Sequence, residues 1–357
     1  MIVLIKNAIL MPNIVRHDFC GFFRKNYENP MNKIVVKAFF IAVSIFFFFQ
    51  CSKSAPEPIV MVETESQDLT IGCTDVAATN YKSTAKDDDC SCKYDYSSKV
   101  STKIPQDFTR KILLEEHSGT WCGWCPLAKE TSEKLTANAR VISVEIHYND
   151  EMTADKDKVY NPLKNKYGHP AWPSGMVNRR KSIVGTTYII GESDWAANVE
   201  DFLKTEKTTA GIAIESSLNG NELTVLSHVK IQTATDERYG LGIYLVEDKV
   251  AGYPQVNYAS RDIRFQKYDA YNKPSMIEDF LHRNVARDAI APLIGGLDIP
   301  IAATKNGKIF RKLFKITLPN NIKVKENCHL VAFLMNQNNN EIINVQIVPI
   351  GIVKDWD

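Results

Sequence analysis

The residues best suited to chemistry lie at 117–130: His-Ser-Gly-Thr-Trp-Cys-Gly-Trp-Cys-Pro-Leu-Ala-Lys-Glu. Cys122 and Cys125 are two residues apart, a spacing that sets both sulfurs on the first turn of a helix. The N-terminal end of a helix carries partial positive charge, and this stabilises a thiolate at Cys122, the sulfur nearer the open end. Free cysteine titrates near about 8.5, and such positions bring it to roughly 3.5–7.5. Cys122 then attacks, and Cys125 resolves the mixed disulfide. Two other uses compete, a structural disulfide and half of a zinc site. Zinc needs two more ligands. The remaining cysteines form no second Cys-x-x-Cys, and the histidines at 117, 147, 169, 228, 282 and 329 show no metal-type spacing. Thiol–disulfide exchange is the preferred reading, with Trp121 and Trp124 flanking the sulfurs.

That reading requires a strand before the pair and a helix after it, and the text supplies both. Around the pair, RKILLEEHSG reads as a strand and CPLAKETSEKLTANA as an amphipathic helix. Pro126 sits in the first turn of that helix, where a missing N–H costs little. RVISVEIHYND is a second strand and TADKDKVYNPLKNKYG a broken helix. SGMVNRRKSIVG is a strand or hairpin, and SDWAANVEDFLKTEKT is a helix capped by Ser193 or Asp194. This alternation predicts an α/β sheet domain over 104–207. From Thr208 onward strands dominate, beginning with GIAIESSLNGNELTVLSHVKI and its Asn219-Gly220 turn signal. YGLGIYLVEDKV, KIFRKLFKITLP, CHLVAFLMNQ and EIINVQIVPI follow, predicting a mostly antiparallel β-sandwich over 208–357. Residues 275–291 read as an interrupting helix. Tyr148, Trp172 and Trp195 read as packing residues, and Arg179-Arg180-Lys181 as a solvated face or hairpin end. His117, five residues before Cys122, reads as a loop cap that lies within reach of the site.

The stretch Trp121-Cys122-Gly123-Trp124-Cys125 resembles the thioredoxin active site, with Trp124 where thioredoxin has proline. The resemblance implies a buried proton-relaying acid six residues before the first cysteine, and Glu116 stands there. It also implies a cis-proline beside the sulfurs. In GHPAWPSGMVNR that is Pro173, ahead of Pro170. EEHSGTWCGWCP, WPSGMVNR and CHLVAFLMNQNNNEIINVQ together resemble the family of bacterial outer-membrane lipoproteins related to the twenty-eight-kilodalton outer-membrane protein. That likeness runs from about Ile104 to the C-terminus. It implies a thioredoxin-like domain followed by an Ig-like β-sandwich, without implying one activity.

Upstream, Gly72-Cys73-Thr74-Asp75, Ala78-Thr79-Asn80-Tyr81 and Asp88-Asp89-Cys90-Ser91-Cys92 resemble a short module of secreted bacterial proteins, departing from it at Cys90. The match, spanning 73–96, implies a Cys73–Cys92 bridge. A loop of about 20 residues closed in this way is stabilised by roughly 3 kcal/mol on the chain-entropy estimate. Pairing Cys73 with Cys90 would instead leave Cys92 spare. Asp75, Asp87, Asp88 and Asp89 offer oxygen ligands for calcium, although a solvated acidic turn beside a disulfide is the preferred reading. Cys90 and Cys328 are left to bridge the module to the sandwich or to stay free. Cys328, in an apolar strand, reads as a buried thiol.

The N-terminal text gives the compartment. MNKIVVKAFFIAVSIFFFFQCSKS, from Met31, has basic Lys33 and Lys37, an apolar run from Ala38 to Phe49, and then Cys51. The run is short for a membrane span and suits a signal peptide. The order resembles a lipoprotein signal over 31–51 lipidated at Cys51, with Gln50 as its departure. Residues 1–30 then form an upstream extension, and 52–72 a polar tether. A net charge of +1 gives no general attraction to nucleic acid. Together these features predict an envelope-anchored thiol–disulfide oxidoreductase acting on protein thiols and disulfides, held to the membrane by its lipid and needing no cofactor. The alternative is a non-enzymatic surface lipoprotein, serving adhesion or assembly, whose Cys122–Cys125 bridge is structural.

Overall fold

A computed structural model describes residues 70–357. The expected extension, signal peptide and Cys51, and most of the tether, lie outside the described residues. Strand β1 (Ile112–Ser118) precedes helix α1 (Cys125–Thr136), followed by β2 (Val141–His147), α2 (Tyr160–Tyr167), β3 (Ser174–Val177) and α3 (Trp195–Leu203). Next come β4 (Ala210–Asn219), β5 (Glu222–Ile231), β6 (Tyr239–Glu247), β7 (Val285–Ala291) and α4 (Ile301–Thr304). The last long strands are β8 (Phe310–Thr317), β9 (Cys328–Asn336) and β10 (Ile342–Pro349).

The larger sheet has the order β10–β9–β6–β7–β2–β1–β3, with Leu297–Asp298 pairing on β6. β1 and β2 are parallel, from Ile112 opposite Val141 to Ser118 opposite His147. β7 joins β2 in parallel at Val285 opposite Glu145. The remaining pairings are antiparallel. A second, antiparallel sheet has the order β8–β5–β4 and is extended by Val353–Lys354. The two-residue loop between β4 and β5 puts Gly220 at φ 62°, next to the asparagine that signalled the turn. Among the described residues, no helix is long and apolar enough to cross a membrane.

Every residue of β1 is buried, because a parallel pair needs cover on both faces. Alternation along the strands divides that cover. Ile112, Leu114 and Val141 pack with Ala128 of α1 and with Trp195, Val199 and Phe202 of α3. Leu113, Ile142, Val144 and Ile146 pack on the other side with Tyr160 and Leu163 of α2. The sandwich core sets Ile212, Ile214, Val225 and Val229 against Leu241, Ile243, Leu245, Leu330 and Ala332. β6 serves both cores, since its Tyr244 and Val246 face the α2 side. One sheet therefore runs through the change of character at Thr208, and the described residues form one compact unit.

Two local expectations are corrected. Residues 275–291 are not a helix: Met276–Ile277 pairs with Gln255–Val256, and Val285–Ala291 is β7. Pairing on both sides, to β2 and β6, outweighs the helical pattern, as tertiary context does for strands. Arg287 confirms the register from within, since it is buried against Glu247 with N and O 2.8 Å apart. Nor is Arg179 solvated. It is fully buried, with Nε donating to Glu115 Oε2 at 2.7 Å and Nη2 to Oε1 at 2.6 Å. The Tyr244 hydroxyl donates to the same carboxylate at 2.5 Å.

The Cys/Asp segment is closed by a Cys73–Cys92 disulfide, its Cα atoms 4.8 Å apart. Its small core holds Cys73, Ala78, Cys92 and Tyr94. Cys90 and Cys328 are both free, and burial pushes each thiol up to about 12. Asp75 takes Lys312 at 2.8 Å and the Tyr94 hydroxyl at 2.6 Å. Asp88 accepts from the Thr74 and Cys90 amides, Asp89 from the Ser91 amide, and Asp87 is exposed.

Candidate functional site

The loop 119–124 joins β1 to α1 and carries the cysteine pair. Cys122 and Cys125 form a disulfide with Cα atoms 5.4 Å apart. Cys125 opens α1 and Pro126 occupies its first turn, where the helix has amides to spare. Trp121 is 41% exposed. Its ring N–H donates to the Tyr148 carbonyl at 2.9 Å, and its edge meets Trp172 at 5.4 Å. Trp172 stacks on Tyr148, which stacks on Tyr160. The Trp172–Pro173 bond is cis, so the structure places Pro173 immediately before β3, beside β1 and next to this aromatic wall. Trp124, on the other side, packs against Tyr258 and Phe265.

Both cysteines are only 4% exposed. Their cover comes from a strap, residues 250–282, closed at its base by reciprocal backbone bonds between Val250 and His282 at 2.9 and 3.0 Å. Within it, Gln255 is buried and its amide nitrogen reaches the carbonyls of Cys122 at 2.9 Å and of Gly119 and Thr120 at 3.2 Å. The Val256 amide donates to Thr120 at 2.9 Å and the Tyr258 amide to Gly123 at 2.8 Å. The Tyr258 ring lies so close on Gly123 that a Cβ there would be 2.3 Å from it. Glycine at 123 is thus required by the close approach of the strap.

Glu116 sits on the α1 side of β1. Burial pushes its carboxyl up to about 8. Its hydrogen bond goes to Ser132, seven residues into α1 from Cys125, or about 10 Å along the axis. His117 faces the opposite side, 3.4 Å from the Ser174 hydroxyl, and burial holds its imidazole down at about 4. The structure thus brings Trp121, Cys122, Cys125 and Trp124 together at one loop, with Pro173 just before the neighbouring strand β3. Glu116 is directed along the helix toward Ser143 and Glu145. As it stands the site holds a closed bridge in a loop to which the strap is bonded.

Sequence reasoning missed the strap, because 251–274 carries no sustained period and 275–291 reads as a helix. It also passed over Glu145 and Asp150, and set His147 and His282 aside because their spacing is not that of metal ligands. Asp150 ties this group to the cysteine loop, accepting from the Thr120 amide at 2.9 Å. The Thr120-to-Asp150 tie has no signature in the linear text.

A family model described as outer membrane protein Omp28 matches residues 160–354. No match is found among curated proteins. Among solved structures, HBP35 of Porphyromonas gingivalis is similar with a TM-score of 0.52 at 18% identity, covering 70% of this chain and 77% of that one. A domain of the outer membrane lipoprotein Omp28 from Porphyromonas gingivalis gives a TM-score of 0.25 at 16% identity, covering 42% and 92%. Protein AGR_C_4864 from Agrobacterium tumefaciens gives 0.38 at 10% identity, covering 71% and 97%.

Proposed function

We propose a function from the premise that this chain belongs to the Omp28 family of outer membrane proteins, whose model matches more than half of it. In this reading it is an envelope protein that acts by adhesion or assembly and not by turnover. Its Cys122–Cys125 bridge holds the β1–α1 loop in shape. The observation that carries this is the burial of both cysteines beneath a strap bonded to the carbonyls of residues 119, 120, 122 and 123. Exchange needs direct attack on an accessible sulfur, so two cysteines that are each 4% exposed favour a bridge that is kept over one that turns over. Lipid at Cys51 would hold the chain to the membrane, in line with the outer membrane family whose model it matches. Its partners would then be proteins or surfaces of the envelope, with no nucleic acid among them. Asp75, Asp87, Asp88 and Asp89 remain the calcium candidates of the Cys/Asp module.

A second reading is kept because a specific arrangement favours it. The parallel β1–β2 pair, α1 opening at Cys125 and the cis-proline at Pro173 support a thioredoxin-like arrangement over 104–207. In that reading the strap opens and a reduced Cys122 thiolate attacks a client disulfide. Cys125 then displaces the client from the mixed disulfide, Glu116 takes up protons, and Pro173 shapes the groove.

One measurement separates the two readings: the reduction potential of the Cys122–Cys125 pair in the intact chain, equilibrated in glutathione buffers, with peptide mapping to isolate the pair. The structural reading expects a value below about −300 mV and no preferential labelling of Cys122. A value above about −270 mV with Cys122 the faster thiol would overturn it in favour of exchange.

A further inference from the structure

The α1-facing side of β1 and β2 changes chemistry along the strands. It begins with Ile112, Leu114 and Val141, and ends with Glu116, Ser118, Ser143, Glu145 and His147 at the carboxyl ends. Ligand sites in α/β sheets lie outside the carboxyl ends of strands. Here the end of the strap meets β2, and the ring of His282 stands edge-on to that of His147 with centroids 5.1 Å apart.

We infer that Glu145, His147 and His282 form a binding site for one divalent transition-metal ion, zinc by its donor set. A glutamate oxygen and one nitrogen from each imidazole lie within 4.8 Å of one another. Zinc with bonds of about 2.0–2.1 Å spaces its tetrahedral donors about 3.3 Å apart, so closure draws the donors together by up to about 1.5 Å. One edge is already there, with His147 Nε2 3.4 Å from Glu145 Oε1.

The outer nitrogens are already committed. His147 Nδ1 lies 2.7 Å from Asp150 Oδ2, and His282 Nε2 lies 3.0 Å from the Tyr253 carbonyl. A carbonyl only accepts, so the proton of His282 is on Nε2 and Nδ1 keeps its lone pair. His147 stands between two carboxylates, with Nδ1 facing Asp150 and Nε2 facing Glu145, and a zinc ion would take the place of the proton on Nε2. Carboxylate and carbonyl partners of this kind orient metal-bound histidines generally. The two inward nitrogens are buried, in side chains 2% and 0% exposed, and neither has a hydrogen-bond partner. The buried lone pair on His282 Nδ1 is costly unless something accepts it. A metal ion does so.

The carboxylate side of the site adjoins a small cavity. Glu145 borders a cavity of about 40 Å³ shared with Glu116, Ser132, Ser143 and Arg283, room for a single water. Three protein donors with an open fourth position suit zinc that keeps a water. The inference stands apart from either fate of the disulfide. It gives the strap a second function, since an ion held by His282 would pin the strap's base to β2.

The test uses the intact chain freed of metal by chelation and titrated with Zn²⁺ by calorimetry and with Co²⁺ by visible absorption. Expected are one equivalent of each ion, a tetrahedral Co²⁺ spectrum, and a zinc-dependent rise in thermal midpoint. His282→Gln and Glu145→Gln should abolish all three while circular dichroism stays native, and Asp150→Asn should weaken binding about 10–100-fold. Absence of stoichiometric binding by the native chain would overturn the inference, leaving His147 in an ion pair with its two carboxylates. So would binding that survives in His147→Gln/His282→Gln, which would place the ion elsewhere. Should the variants fail to fold, the Co²⁺ spectrum of the native chain decides: tetrahedral N/O ligation supports the site, and its absence refutes it.

Discussion

At the scale of single residues, the buried charges are the clearest departures from an ordinary core. Glu115 and Arg179 are both fully buried and joined by two hydrogen bonds, with Tyr244 on the same carboxylate. Removing one member leaves the other charged and unpaired in the interior. Arg179→Met should therefore lower stability by about 3–5 kcal/mol. Arg238 and Asp298 lie as close, at 2.9 Å, but their side chains are 70% and 59% exposed. Arg238→Ala should cost under about 1 kcal/mol. Urea unfolding of the two variants checks the contrast, and equal losses would show that the Arg179 pair does not anchor the sheet. A three-residue basic run gave no hint of this, because burial of its first member depends on β3 being paired to β1.

At the scale of elements, the strap decides how the cysteine loop behaves. Gly123→Ala would put a Cβ 2.3 Å from the Tyr258 ring. The root of that ring is among the atoms it would strike, and the ring is packed edge-on against Trp124. The substitution should therefore displace the strap at a cost of about 1–3 kcal/mol, as for other overpacked contacts. Reduction of Cys122–Cys125 by a phosphine should quicken at least tenfold, read by alkylation and mass mapping. An unchanged rate would mean that burial by the strap does not protect the bridge. The thiol reading of the sequence located the helix and its proline correctly, but it could not register a cover supplied more than 130 residues downstream.

At the scale of the whole molecule, the larger sheet joins the segments before and after Thr208 through β2–β7 and the cores on either side of β6. A continuous sheet with shared cores unfolds as a unit. Residues 70–357 should show one thermal transition, coincident by tryptophan fluorescence and far-ultraviolet circular dichroism, with calorimetric and van't Hoff enthalpies equal. Two separable transitions would indicate independent domains divided near residue 208.

Much of this architecture is legible in the sequence because it rests on short-range rules. Alternation along β4, β5 and β9, the 3.6-residue period of α1 and α3, the glycine turn after Asn219 and the Cys-x-x-Cys between strand and helix depend on neighbours a few residues apart. The Cys73–Cys92 bridge was legible through its module. What tertiary structure alone decided depends on contacts between distant segments. Residues 285–291 carry a pattern that suits a helix and become a strand because β2 and β6 offer backbone partners on both sides. His147 and His282 share no motif, and face each other because β7 enters the sheet in parallel beside β2. Burial, which leaves the lone pair on His282 Nδ1 unsatisfied and turns a reactive cysteine motif into a covered bridge, is a property of the packed molecule and has no spacing to be read.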